Sequence, residues 1–203
     1  MNLWDERYSQ SGYAYGTEPS QFLVEQINWL NLKSPLSILS LGEGEGRNAV
    51  YLATLGHHVH AVDGSAVALL KAQDLAASRD VRIETQLTDL SNFVIEKRYN
   101  IVVMIFCHLP STLRHKIHKK IVDALAPGGV LIYQAYSPKQ LGYGTGGPEQ
   151  LDLLVDITEL KNCFNGMEVI HENMYEKEII EGKYHTGLAA VTEFVARLNN
   201  FAE

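Results

Sequence analysis

Two cysteines in 203 residues, Cys107 and Cys163, are too few for a disulfide framework and lack metal-ligand spacing. Both read as small core hydrophobes in a chain suited to a reducing compartment. Cationic side chains are also scarce: 17 Lys and Arg face 24 Asp and Glu, a net charge of −7, and only Arg114 to Lys120 clusters them. A phosphate-binding surface needs concentrated positive charge, so no nucleic-acid partner is expected. No apolar run approaches roughly 18 residues, which excludes a helical membrane span. The amino end, Met1 to Arg7, lacks the basic-then-apolar order of a secretion signal, so a cytoplasmic protein is expected, as monomer or homodimer. No repeat, charge block or Pro/Ser linker divides the chain, and its length fits one domain over residues 1–203.

What is present reads as alternating strands and helices. Residues 1–35 form a helical cover, with one short helix from Leu3 to Tyr8 and another from Pro19 to Trp29, where Phe22, Leu23, Gln26, Ile27 and Leu30 fall three and four apart. Pro19 is expected in the first helical turn, where its missing N–H has no partner to lose. Residues 36–136 carry strands at Ser37–Leu41, His58–Val62, Val81–Leu87, Ile101–Phe106 and Val130–Tyr136. Helices are expected at Arg47–Leu55, Ala66–Ser78 and Ser111–Leu125. The run from Ile101 to Phe106 is apolar without alternation, as a central parallel strand covered on both faces requires. Strands separated by helices imply a doubly wound α/β sheet whose strand-to-helix loops share one edge, where ligands bind. Residues 137–203 hold a glycine-rich flap, a helix and a closing hairpin from Met167–Ile180 and Leu188–Ala196, whose short connection forces antiparallel pairing.

The sharpest local signal is Leu39-Ser40-Leu41-Gly42-Glu43-Gly44-Glu45-Gly46-Arg47-Asn48, at a strand-to-helix junction. A dinucleotide fingerprint needs a small third residue at position 47, which here is arginine. Glycines at 42, 44 and 46 have instead the spacing associated with S-adenosylmethionine, and Glu43 and Glu45 would tolerate its sulfonium charge better than a pyrophosphate. Asp63 ends the next strand, before Gly64 and Ser65, where a carboxylate can accept from both ribose hydroxyls. The alternative is a helix cap, a role that Ser65 can also fill. Asp89, followed by Leu90, holds the matching place after the third strand, as an acceptor for the adenine amine with Leu90 against the ring, or as an ordinary turn cap.

These residues, with Ala126-Pro127-Gly128-Gly129 before the fifth strand, resemble a class I S-adenosylmethionine-dependent methyltransferase over Ser37 to Tyr136. The chain is most similar to the tellurite-resistance branch of that class. It shares with that branch Gly44-Glu45-Gly46-Arg47-Asn48, the cover elements Trp4-Asp5-x-x-Tyr8 and Tyr15-Gly16-Thr17-Glu18-Pro19-Ser20, and a histidine, His185, between the last two strands. The resemblance implies a Rossmann-like, mostly parallel seven-stranded sheet, S-adenosylmethionine as cofactor and Arg47 near the methionine carboxylate, unless Arg47 is a solvated first-turn residue. It also implies a small acceptor such as a chalcogen oxyanion, a thiol or a metabolite. Alternatives are a non-catalytic S-adenosylmethionine sensor and a nucleotide-linked oxidoreductase. One departure stands out: the class commonly has an acid where this chain has Ser40, and that acid braces the loop.

Methyl transfer needs alignment and, for a protic acceptor, a base. His108, after the fourth strand beside Phe106, is a candidate base or a turn histidine bonding to backbone, and His185, at the hairpin tip, is a candidate base or a solvated residue. Tyr143, among the glycines of Ser137 to Pro148, is expected on a flap that closes over the acceptor. Tyr15 is expected to offer an aromatic face to the sulfonium. His58 and His60 share a strand face without a third ligand, so no metal is expected, and His115 and His118 read as solvated beside Lys116, Lys119 and Lys120.

Overall fold

The unbroken apolar stretch at Ile101 runs through the middle of the sheet in the computed structural model, which describes residues 3–32 and 35–200. The strands are β1 (Ser37–Leu41), β2 (His58–Asp63), β3 (Glu84–Leu87), β4 (Tyr99–Ile105), β5 (Leu125–Tyr136), β6 (Met167–Glu181) and β7 (His185–Leu198). The helices are α1 (Leu3–Tyr8), α2 (Gln21–Leu30), α3 (Arg47–Thr54), α4 (Ala66–Ser78), α5 (Ser111–Ala124) and α6 (Ile157–Cys163). The sheet order is β3-β2-β1-β4-β5-β7-β6, parallel except that β7 runs antiparallel to both β5 and β6. This is the Rossmann-like seven-stranded arrangement that the sequence implied. No helix among the described residues is long and apolar enough to cross a membrane.

Successive residues of a strand point to opposite faces, and β4 divides accordingly. Ile101, Val103 and Ile105 pack with Phe22, Leu23 and Ile27 of α2 and Ala49, Leu52 and Ala53 of α3. Val102 and Met104 pack with Ile117, Ile121 and Ala124 of α5, Leu160 of α6 and Phe164 just beyond it on the other side. The two cores explain why β4 tolerates no polar alternation. Cys163 packs against the second core and Cys107 does so from the cavity wall, half-buried.

Several expectations shift by a residue or a face. α2 begins at Gln21, two residues after Pro19, because Ser20 is pinned by tertiary bonds: its N–H donates to Asn48 and its hydroxyl to Gln134. β3 lacks Val81 to Ile83, since Val81 turns back to bond Ala76 at the end of α4 and packs beside Val50 and Leu75. The solvated reading of α5 holds for His115, Lys116 and Lys119, which are exposed, and is corrected at His118. Arg114 is buried in a two-pronged ion pair with Glu159 and also bonds the carbonyls of Leu109 and Asp152. His118 is fully buried between Tyr133 and Phe164, and neither ring nitrogen has a hydrogen-bond partner.

Burial pushes the His118 imidazole down to about 3 from an ordinary 6.5. Between those values the unfolded chain takes up a proton that the folded protein refuses, so stability is lost as pH falls from 6.5 toward 3. His118→Leu should flatten that acid limb in urea unfolding, whereas an unchanged limb would show that the ring does not stay neutral in the core.

Candidate active site

The order of strands reverses between β1 and β4, and the loops leaving their carboxyl ends part to form a cavity, as such sheets dictate. Its volume is about 400 Å³. The glycine loop forms one wall, Asp63, Gly64, Asp89 and Leu90 a second, Phe106 to Pro110 a third, and Trp4, Tyr8, Tyr15 and His185 the cover. Phe106 holds a left-handed backbone (φ 51°), a costly conformation for a bulky residue. Such strain persists only where the surroundings enforce it; here the Phe106 N–H is anchored on the Gln134 carbonyl at 2.8 Å.

Gly46 lies outside the cavity lining, contrary to its expected cofactor role. A Cβ there would stand 2.7 Å from Ala72, so the glycine lets α3 and α4 meet. Ser65 is likewise structural: it caps α4 by accepting from Ala68, donates its hydroxyl to Asp5, and is fully buried. Glu43 and Glu45 line the cavity, but their carboxylates are committed to the fold instead of balancing a cation. Glu43 accepts from the Ser40 hydroxyl and from the N–H groups of Asn48 and Ala49, in the first turn of α3. Burial pushes its carboxyl up to about 7 despite those bonds. Glu45 accepts from Ala14 and pairs with Lys71, which also donates to the carbonyls of Gln10 and Gly12 and so ties the cover down.

Asp63 is 9% exposed, and its two oxygens accept the N–H groups of Gly44 and Ser65, each at 2.8 Å. Burial raises its pKa while those bonds oppose the rise. Asp89 is exposed at the cavity edge and accepts from the Ser91 N–H, and the Ser91 side chain and N–H together lower its pKa; the turn-cap reading therefore holds beside its place in the lining. Arg47, first residue of α3, is buried. Its Nη2 pairs with Glu181 at 2.7 Å, and its Nη1 has no partner.

His108 and His185 both face the cavity with Phe106 between them, its ring 4.8 Å from that of His185 and 6.4 Å from that of His108. Burial holds His108 down at about 3 and lowers His185 as well, with Glu181 opposing the second shift. Both imidazoles are therefore neutral near pH 7. His185 does not lie in a solvated turn: it opens β7, and the tip from Gly182 to Tyr184 folds against the cover. Gly182 makes this approach possible, because a Cβ there would stand 2.4 Å from the Tyr15 backbone, and the Lys183 N–H donates to the Ala14 carbonyl. Tyr15 joins the group through its ring, 4.4 Å from that of His185.

Tyr143 is the clearest departure. It does not reach the cavity lining and bonds Glu176 of β6 instead. Its glycine-rich segment is fastened behind Tyr136 and His185, where Gln140 bonds Ala190 and Thr145 bonds the Leu188 carbonyl, and it does not line the cavity. Glu181 was missed from the sequence, as were Leu109 and Leu113. No group of three metal-ligating side chains occurs among the described residues, and His60 bonds Tyr99 instead.

Residues 38–129 match the methyltransferase domain family. The chain is 28% identical over 148 residues to the probable S-adenosyl-L-methionine-dependent methyltransferase TehB of Haemophilus influenzae, covering 70% of this chain and 50% of that protein. It is 30% identical over 115 residues to the 2-heptyl-1-hydroxyquinolin-4(1H)-one methyltransferase of Mycobacteroides abscessus, covering 55% and 51%. The chain thus spans about half the length of these relatives. The TehB crystal structure superimposes with a TM-score of 0.73 at 22% identity, over 87% of this chain and 61% of that one. The Synechocystis magnesium protoporphyrin IX methyltransferase with bound SAH superimposes with a TM-score of 0.69 at 16% identity, over 88% and 82%. Glycine loop, strand-end acids, sheet order and domain match agree: residues 38–129 match a methyltransferase domain, and the chain around them is similar to TehB.

Proposed function

We propose that this chain transfers the methyl group of S-adenosylmethionine to a small protic acceptor bound against His108, Phe106 and His185. The observation that carries this reading is one cavity joining the glycine loop, Asp63 and Asp89 to a pair of neutral buried imidazoles. The residues fit the cofactor. Asp63 stands at the ribose position, Asp89 and Leu90 at the adenine position, and the unpartnered Arg47 Nη1 is a ready donor for the methionine carboxylate. When bound, the cofactor supplies an electrophilic methyl on a sulfonium. The protein's part is to align the acceptor with that methyl and shut out water, contributions worth up to about 7–11 kcal/mol. As the acceptor–carbon bond forms and the sulfur–carbon pair returns to sulfur, the acceptor proton passes to a neutral imidazole.

Phe106, Leu109 and Leu113 make the acceptor wall largely apolar, and the Arg47 charge is met by Glu181. An organic thiol or an aromatic hydroxyl therefore fits better than a bare oxyanion such as tellurite, which would have to shed its hydration against that apolar wall. The two relatives, a TehB and a hydroxyquinolone methyltransferase, bracket these two classes. We place the activity in the cytoplasm, on one catalytic unit, consistent with its free cysteines.

Calorimetry with S-adenosylmethionine, S-adenosylhomocysteine and NAD should show binding of the first two alone. Donor consumption should follow with thiols or aromatic hydroxyl compounds rather than tellurite. Tight binding with no turnover on any acceptor would point to the sensor, and binding of NAD alone would overturn the methyltransferase.

A further inference from the structure

Glu181 ends β6 and His185 opens β7, and the two form the last cross-strand pair of the hairpin, so their side chains share a face. That face turns toward the glycine loop. Glu181 Oε2 stands 2.7 Å from Arg47 Nη2 and 3.5 Å from His185 Nδ1. One carboxylate oxygen thus links the first residue of α3 to the histidine in the cover of the cavity. The hairpin tip is held to the cover by the Lys183 and Gly182 contacts, which fixes this oxygen in place. Arg47 Nη1, on the same guanidinium, is buried without a partner although the residue lines the cavity. A buried donor left unsatisfied is costly and is met when an acceptor arrives.

We infer that Glu181 is a positioning residue coupling the two ends of the cavity: an anionic group on Arg47 draws that guanidinium away from Glu181, which then holds His185 ready to accept a proton. The inference rests on the methyl-transfer reading, in which the cofactor carboxylate is the anionic group. His185 Nδ1, 3.5 Å from Glu181, makes no hydrogen bond as it stands; once its N–H closes on that carboxylate, Nε2 is left to take the acceptor proton, the tautomer that a carboxylate partner selects.

The charges around His185 set the direction. Arg47 of α3 and Arg7 of α1 disfavour its protonation, as burial does, and Glu181 of β6 favours it. His108, after β4, is neutral and faces it across Phe106; Tyr15 and Tyr136 flank it as uncharged rings whose own pKa values are raised by burial. Burial alone would raise the pKa of Glu181, but His185 and Arg47 hold it down at about 2, so its charge is present throughout the working range and divided between them. Neutralising Arg47 leaves that charge to His185.

Histidine-labelled full-length protein, titrated by NMR with S-adenosylhomocysteine as the probe, tests this without an acceptor. His185→Gln assigns the resonance, and Glu181→Gln keeps the shape while removing the charge. In wild type, saturating S-adenosylhomocysteine should move the His185 midpoint to higher pH. In Glu181→Gln the free midpoint should lie lower than in wild type, the ligand-induced rise should vanish, and binding should be at least as tight. Binding with an unmoved wild-type midpoint, or a full rise in Glu181→Gln, would overturn the coupling. Failure of wild type to bind the probe in calorimetry would instead remove the methyl-transfer reading on which the coupling rests.

Discussion

Replacing Asp63 with alanine is expected to weaken S-adenosylmethionine binding about 100-fold, roughly 3 kcal/mol, with the sheet intact. Two losses combine. A carboxylate at the end of β2 is the natural acceptor for a ribose hydroxyl, and a hydrogen bond to a charged group contributes about 1.5–3 kcal/mol. The same side chain orients the Gly44 N–H and the Ser65 N–H, so its removal also loosens the loop and the entry to α4. Asp63→Asn separates these effects, because an amide oxygen can still accept from Gly44 while the charge is lost; its affinity should fall between wild type and alanine. Calorimetry beside circular dichroism decides the matter. An alanine variant that keeps its fold and binds within threefold of wild type would remove Asp63 from the cofactor site.

What was legible in the sequence was local. The glycine spacing and Asp63 follow strands whose apolar runs announce themselves, so local pattern alone locates the carboxyl edge of the sheet, although β3 before Asp89 is polar. What was hidden depends on residues far apart in the chain. Arg47 and Glu181 are separated by 134 positions, and nothing in either segment marks the pairing. Tyr143 misled because glycines suggest freedom, whereas Gln140 and Thr145 fasten that segment to β7. His118 carried a signal that was outweighed by its lysine neighbours: Arg114, Ile117, His118 and Ile121 recur at the spacing of one helix face, and all four are buried. Ser40 looked like a defect in the loop. It became intelligible only with Glu43 reaching back to it from three residues later.

That substitution of one brace for another yields the second large effect. α3 starts behind Gly46, which has no side chain to cap it, and the first N–H groups of a helix lack internal partners. Glu43 supplies the missing acceptor from outside the helix, bonding Asn48 and Ala49 while it receives the Ser40 hydroxyl. Glu43→Ala leaves those buried donors unmet and should cost about 3 kcal/mol or more, with the cofactor loop loosened as well. Glu43→Gln retains one acceptor oxygen and should cost less. Its pH dependence carries the sign of a raised acid: the folded protein keeps until about 7 the proton that the unfolded chain releases near 4.5. The stability from this proton is complete below 4.5 and is lost as pH rises through 7. Glu43→Gln should therefore fall further behind wild type in urea midpoint at pH of about 5 than at about 8. A deficit that grows toward alkaline pH would mean that the wild-type carboxylate stays ionised in the core and that its charge, rather than its proton, caps the helix.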